Sequence, residues 1–277
     1  MRIHIRHITS YTYEQPATAV IQLLRLTPRN YAGQTVRRWR IDLGRDGLLK
    51  ASEDAFGNTV HMLSLSGPIT QLTVAADGEV ETSDANGLVA GAVERFPTGL
   101  YLRQTPLTMP NADLLTFARD SVGEVAADPL SAMHRLMNAI HSNVAFDTAP
   151  TTSVTTAAES FAMKTGVCQD LTHIFVTAAR SVGIPARYVG GYLWRADGER
   201  LQQQEAGHAW AEAYVANLGW VGFDPANCIC PTAAHVRVAV GLDYLGAAPV
   251  RGSRTAGPGE KLDVSVSVNQ AIARQEQ

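Results

Sequence analysis

The sequence predicts an α+β fold: an N-terminal antiparallel β-sandwich, an α+β core, and C-terminal strands that pack back on a sheet. Three observations predict it. Up to residue 105, apolar residues alternate with a period of two between Gly, Asn and Asp turns. After residue 110 they recur at helical spacing behind capping residues. The tail segment LDVSVSV (262–268) then returns to clean alternation. The chain accordingly divides into 1–105 (β-rich), 106–234 (core) and 235–277 (a C-terminal β segment and tail).

The first strand begins at once: Ile3, Ile5 and His7 alternate with His4, Arg6 and Ile8, and Tyr11 and Tyr13 continue the period. Segment 17–29 fits a strand or a short helix. Strands are expected at 35–43, at 58–66 after an Asp54–Gly57 turn, and over 69–82. The glycines and prolines of 84–110 read as a linker. Asn111 can cap a helix, and Asp128 caps another with Pro129 in its first turn. There Leu130, Met133, Leu136, Met137 and Ile140 form one stripe. Thr155 or Thr156 opens a short helix. The next helix starts at Cys168, turns Leu171, Ile174, Phe175, Ala178 and Val182 inward, and ends at Gly183 and Pro185. Strands follow at 186–193, 208–215, 219–224 and 235–240. Residues 270–277 carry no pattern.

Composition narrows the function. With 277 residues, 45% apolar and 18% charged, the chain can bury a sizeable core. A net charge of −3 gives no basic field for nucleic acid. No apolar run is long enough to span a membrane, and the N-terminus lacks an apolar signal core, so a cytoplasmic protein is expected. Three cysteines without secretory cues argue against a disulfide scaffold. No phosphate-binding glycine loop is present, and no cofactor is expected.

Three residues carry chemistry when taken together. Cys168 lies in the first turn of its helix, where exposed N–H groups and the helix dipole favour a thiolate. By itself it reads as a buried filler. His208 opens HAWAEAYV, whose Ala209, Ala211, Ala213 and Val215 form a small apolar face that packs inward. His208, Trp210, Glu212 and Tyr214 form the other face, suited to a cleft wall. Asp224 lies beyond a turn at 216–219, and by itself reads as a turn residue before Pro225. Side chains alternate faces along a strand. For His208 and Asp224 to lie directly opposite, pairing must therefore centre on Ala216. That takes a loop from Tyr214 to Leu218, or a tighter turn at Asn217–Gly219 plus a bulge. Cys at a helix start, then His and Asp on neighbouring strands, is the arrangement of papain-like thiol chemistry.

The motifs G-x-C-x-D, G-I-P-A-R-x-V-x-G, H-A-W-x-E and G-W-x-x-x-D-P occur in order in TGVCQD, GIPARYVGG, GHAWAEAYV and GWVGFDPAN. With them the chain resembles the transglutaminase-like superfamily, in its bacterial cysteine-protease-like branch. HITSYTYEQPA and LLRLTPR resemble the β-rich region that precedes that core, so the likeness covers nearly the whole chain. It implies a papain-like/transglutaminase-like core with Cys168 as nucleophile, His208 as base and Asp224 as orienting acid. The Cys168 backbone N–H is a candidate oxyanion donor and Gln169 a candidate second one. Asp170 is expected to support the helix start. Trp210 and Trp220 either wall the cleft or pack the core, and Gly190-Gly191 either admits a substrate backbone or marks a bulge.

The expected reaction is acyl transfer through a Cys168 thioester, on a peptide bond, an isopeptide bond or a glutamine side chain. Water as acceptor makes a peptidase or amidase, an amine makes a transglutaminase, and a decayed triad leaves a scaffold module. A protein or peptide is the expected partner, with neither nucleic acid nor membrane. Cys228, Cys230, His235 and Asp243 could form a zinc site, but C-x-C misses the usual C-x₂₋₄-C spacing. His173 follows Cys168 by five residues and points about 140° away, a poor base. Arylamine N-acetyltransferases share the triad but carry their cysteine in the first third of the chain.

Overall fold

The computed structural model describes residues 1–125, 127–149, 151–196, 203–204, 207–255 and 258–271, so most of the patternless tail lies outside the described residues. Chain order begins with β1 (Arg2–Thr27), β2 (Gln34–Asp42), β3 (Leu48–Glu53), β4 (Thr59–Thr82) and β5 (Leu88–Val89). The helical part follows with α1 (Ala112–Val122), α2 (Pro129–Asn143), β6 (Ala145–Phe146), α3 (Ala157–Met163), β7 (Thr165–Gly166) and α4 (Cys168–Ser181). The chain then forms β8 (Ala186–Leu193), β9 (Gln203–Gln204), β10 (His208–Val215), β11 (Gly219–Phe223) and β12 (His235–Gly241). It closes with α5 (Tyr244–Ala247), β13 (Val250–Thr255) and β14 (Glu260–Gln270).

The first sheet is one antiparallel sheet of order β2-β4-β1-β14-β9, with β13 also on β1 and β3 also on β4. Segment 17–29 resolves as strand: β1 runs straight through it. Both long strands bend midway. The pairing of β1 with β4 shifts register between Thr12 and Ala19, opposite Gly67, whose φ of +100° suits glycine alone. The bend lets the two halves of each strand face one another. Val20, Leu24, Leu63 and Leu65 from one half pack with Leu72, Val74 and Ala76 from the other. The expected sandwich strands thus belong to one continuous sheet.

The core sheet has the order β12-β8-β10-β11-β5. The segment beginning at 235 therefore splits: β12 edges the core sheet, while β13 and β14 return to the first sheet. The expected linker contributes β5 to the core sheet. Caps form as the sequence predicts. Asn111, Asp128 and Thr156 each accept a backbone N–H from their helices. Leu171, Ile174, Phe175 and Ala178 of α4 are buried, each large apolar side chain contributing about 1.5–3 kcal/mol. Against them pack Ala211, Ala213 and Val215, the small face of β10. That contact aims the N-terminus of α4 at the start of β10.

A second cluster joins the sheets. Ile3, Ile5, Val80, Val266 and Val268 meet Tyr188, Tyr192, Val236 and Val238. Buried Arg180 clamps the 84–110 segment to the core, donating to the carbonyls of Tyr101, Ala186 and Leu242 and to Thr108 Oγ1.

Candidate active site

Cys168 is the first residue of α4 and is half-buried. Asp170 holds this end of the helix: its Oδ2 accepts from the Val167 N–H (2.9 Å) and from Thr151 Oγ1 (2.7 Å). Burial raises the Asp170 carboxyl above its ordinary value despite those two donors. Gly166 admits that carboxylate, since a Cβ there would stand 2.6 Å from Asp170 Cβ. Gln169 is half-buried and makes no hydrogen bond among the described residues.

The β10–β11 register settles the geometry of the other two residues. Val215 pairs with Gly219 and Ala211 with Phe223, so the hairpin centres on Asn217, not Ala216. Asn217 (φ +68°) and Gly219 (φ +88°) take left-handed conformations that close this short loop. Continued one step, the register sets Asp224 across from Trp210 and diagonal to His208. Direct opposition is therefore not formed. His208 and Trp210 share a face, however, so the same-face condition holds and the diagonal is short enough. His208 Nε2 lies 2.7 Å from Asp224 Oδ2. Cys168 lies near enough to the same ring to raise its basicity.

Asp224 is fully buried and heavily solvated by the protein. Oδ1 accepts from the N–H groups of Ala226 (3.1 Å) and Asn227 (3.2 Å). Oδ2 accepts from His208, from Asn227 Nδ2 (2.7 Å) and from His235 Nε2 (3.2 Å). Burial opposes its ionisation, but the hydrogen bonds from His208 and His235, the charge on His208 and the Asn227 amide outweigh it. The carboxyl is held well below its ordinary range. Burial likewise disfavours a charged His208. The hydrogen bond to Asp224 and its negative charge, with the neighbouring Cys168 adding to them, win and hold the imidazole well above its usual value.

Trp210 is 2% exposed; its ring stacks on His208 (6.1 Å between centroids) and meets His235 edge-on (5.3 Å). The face of β10 expected to wall an open cleft is therefore largely covered. Glu212, two residues further along it, is fully buried between Arg187 Nε (2.6 Å) and Arg237 Nε (2.8 Å). Arg187 also grips Glu94 (2.8 and 3.0 Å) and lies 3.8 Å over the ring of Trp220, which is buried. Gly191 makes room for Trp210: a Cβ there would come within 2.7 Å of the indole and 2.2 Å of the Val236 carbonyl. Gly190-Gly191 does mark a bulge: the extra residue is on β12, between Arg237 and Ala239, directly opposite the two glycines.

The zinc alternative does not assemble. Cys228 Sγ donates to Asn138 Oδ1 (3.0 Å), Asp243 caps α5, and His235 turns to Asp224. His208, Asp224 and His235 do bring ligand-type atoms within 4.8 Å of one another. Hydrogen bonding of both imidazoles to the carboxylate accounts for that spacing. His173 is fully buried and accepts the Tyr244 N–H at Nε2 (3.0 Å), far from a base's task.

Sequence reasoning missed Asn227 and the role of His235. Asn227 had a signal, since D-P-x-N is a turn whose Asn can fold back on the Asp. His235 had none, because its place depends on the register of β12 with β8.

A fold of this kind, with a cysteine at a helix start and a histidine hydrogen-bonded to an aspartate beside it, defines a class. Residues 117–225 match the model of the transglutaminase-like superfamily, and residues 3–81 match that of the bacterial transglutaminase-like N-terminal region. An uncharacterised protein of Mycobacterium leprae (strain TN) is 30% identical over 282 residues, covering 96% of this chain and 98% of the relative. One from Mycobacterium tuberculosis (strain H37Rv) is 27% identical over 300 residues, covering 96% and 92%. The chain belongs to the transglutaminase-like superfamily, a family of thiol-dependent enzymes. Its fold is similar to that of a "putative cysteine protease" from Cytophaga hutchinsonii, with a TM-score of 0.73, 18% identity, and coverage of 97% and 98% of the two chains. No helix among the described residues is long and apolar enough to cross a membrane.

Proposed function

We propose that this chain is a thiol-dependent amide hydrolase working through a Cys168 thioester. One observation carries the reading: His208, close enough to Cys168 to be influenced by it, is hydrogen-bonded to an Asp224 kept ionised by five donors. In that setting His208 takes the thiol proton and the thiolate attacks the carbonyl carbon of a peptide, isopeptide or glutamine amide. The Cys168 backbone N–H, unsatisfied at a helix N-terminus, faces the developing oxyanion. His208 returns the proton from Nδ1 to the leaving amine, the C–N bond breaks, and the thioester remains. Water, deprotonated by His208, then releases the acid. Asp224 fixes the Nε2–H tautomer throughout and offsets the imidazolium charge.

Water is assigned as acceptor because it needs no site of its own. Iodoacetamide near neutral pH tests the thiol: rapid, selective alkylation of Cys168, slowed in His208→Ala, is expected. Uniformly slow reaction of all three cysteines would overturn the reading. Glutamine peptides incubated with and without an added primary amine test the acceptor. Ammonia release without amine incorporation supports hydrolysis, and efficient incorporation makes the chain a transglutaminase.

A further inference from the structure

We infer that His235 is a positioning residue for the Cys168 reaction, holding Asp224 in place and moderating its pull on His208; this rests on the thiol reading above. His235 is the first residue of β12 and is 3% exposed. Its own chain turn fixes its tautomer. The Thr232 backbone N–H donates to His235 Nδ1 (3.1 Å), while the His235 N–H donates back to the Thr232 carbonyl (3.0 Å). With the Nδ1 lone pair occupied, the ring proton sits on Nε2 and points at Asp224 Oδ2. Trp210, edge-on at an interplanar angle of 83°, fixes the ring plane.

The consequence follows from sharing one acceptor atom. Oδ2 serves His208, Asn227 and His235 together, so its charge is divided among three donors. A neutral N–H on the carboxylate lowers the carboxylate's basicity without adding a competing charge. The Nε2 proton therefore stays on His208 instead of passing to Asp224. The imidazolium is also held less tightly than a carboxylate lacking that donor would hold it, and so releases its Nδ1 proton to the leaving amine more readily. The side chains around His208 in this set are Cys168, Asp224, Asn227, Trp210 and His235.

Two substitutions in the full chain separate this role from packing. His235→Phe keeps an aromatic ring of similar volume and removes the donor. His235→Gln keeps an N–H near the Nε2 position. The Phe variant is expected to lose about tenfold in kcat, with KM unchanged and the Cys168 alkylation rate not lowered, because a more tightly held imidazolium keeps the thiolate but returns its proton less readily. The His208 titration midpoint, followed by ¹⁵N NMR, should rise by about half a pH unit. The Gln variant should recover to within about threefold of the parent rate. Should the Phe variant not fold, the unsubstituted protein still decides. At the pH of fastest alkylation, His235 must show a protonated Nε2 and an unprotonated Nδ1 by ¹⁵N NMR, and the opposite tautomer overturns the assignment. If Cys168 is not selectively reactive in the unsubstituted protein, the thiol reading and this role fall together. If Cys168 is reactive while both variants match the parent in rate and His208 midpoint, the role of His235 alone is overturned.

Discussion

Two carboxylates stand on one face of the core sheet, both fully buried, and they have opposite characters. Glu212 is met by Arg187 and Arg237, whose guanidinium protons do not leave in water-accessible pH ranges. Asp224 is met by the imidazoles of His208, whose proton can move, and His235. Burial opposes ionisation at both. At Glu212 the two arginines overcome it and hold the carboxyl at about 2. The guanidinium pair fastens strands, and one imidazole of the other pair, His208, stands near a thiol. Burial alone does not mark a functional charge; the lability of its partner does.

Substitutions can break or sharpen this contrast. Cys168→Ala should abolish amide turnover, by about 10⁴-fold or more, while leaving the fold intact because Cys168 is only half-buried. Retained turnover on glutamine peptides would remove the thiol from the chemistry. Asp224→Asn should cut kcat by about 10³–10⁴-fold, since an amide presents the wrong tautomer partner to His208. Normal alkylation of Cys168 in that variant, together with a lowered Tm, would make Asp224 as structural as Glu212. Glu212→Gln should act the other way. Chemical denaturation is expected to show a loss of about 3–5 kcal/mol, because two arginines lose their shared counter-charge. The alkylation rate of the protein that remains folded should change little, and a large slowing would merge the two clusters into one site.

Gly191→Ala should cost about 1–3 kcal/mol, as the added methyl has to displace Trp210 and the Val236 carbonyl. An unchanged Tm would show that the indole is not wedged there. The smallest effect is in the pH dependence of stability. The raised His208 contributes stability that is complete below its ordinary 6.5 and is lost as pH rises through its folded value. The lowered Asp224 contributes stability that is complete above its ordinary 3.8 and is lost as pH falls through its folded value. The Tm gap between the parent chain and Asp224→Asn should thus be widest between these two pH values and should narrow above 6.5. A gap that is flat with pH would contradict the coupled pair.

Much of the fold was legible for local reasons. Asn111, Asp128 and Thr156 announce their helices because caps satisfy backbone donors within three residues. The strand at 17–27 was obscured because Ile21 and Leu23 face outward among buried Val20, Gln22 and Leu24, which hides the alternation in an almost unbroken apolar run. β3 (LLKASE) lacked a pattern because nearly all of it is exposed at an edge. β13 lay in a glycine-rich stretch whose strand character comes only from pairing with β1.

By itself the sequence determined where the candidate side chains stand: a cysteine at a helix start, a histidine at a strand start and an aspartate past the next turn. Residue type and local spacing are enough to place each on its element. Tertiary structure alone decided how they meet. The hairpin register made the His208–Asp224 contact diagonal, the return of β12 brought His235 to the same carboxylate, and the first sheet and linker sealed Glu212 away from solvent. Register and closure depend on contacts between residues far apart in the chain, and no local pattern encodes them.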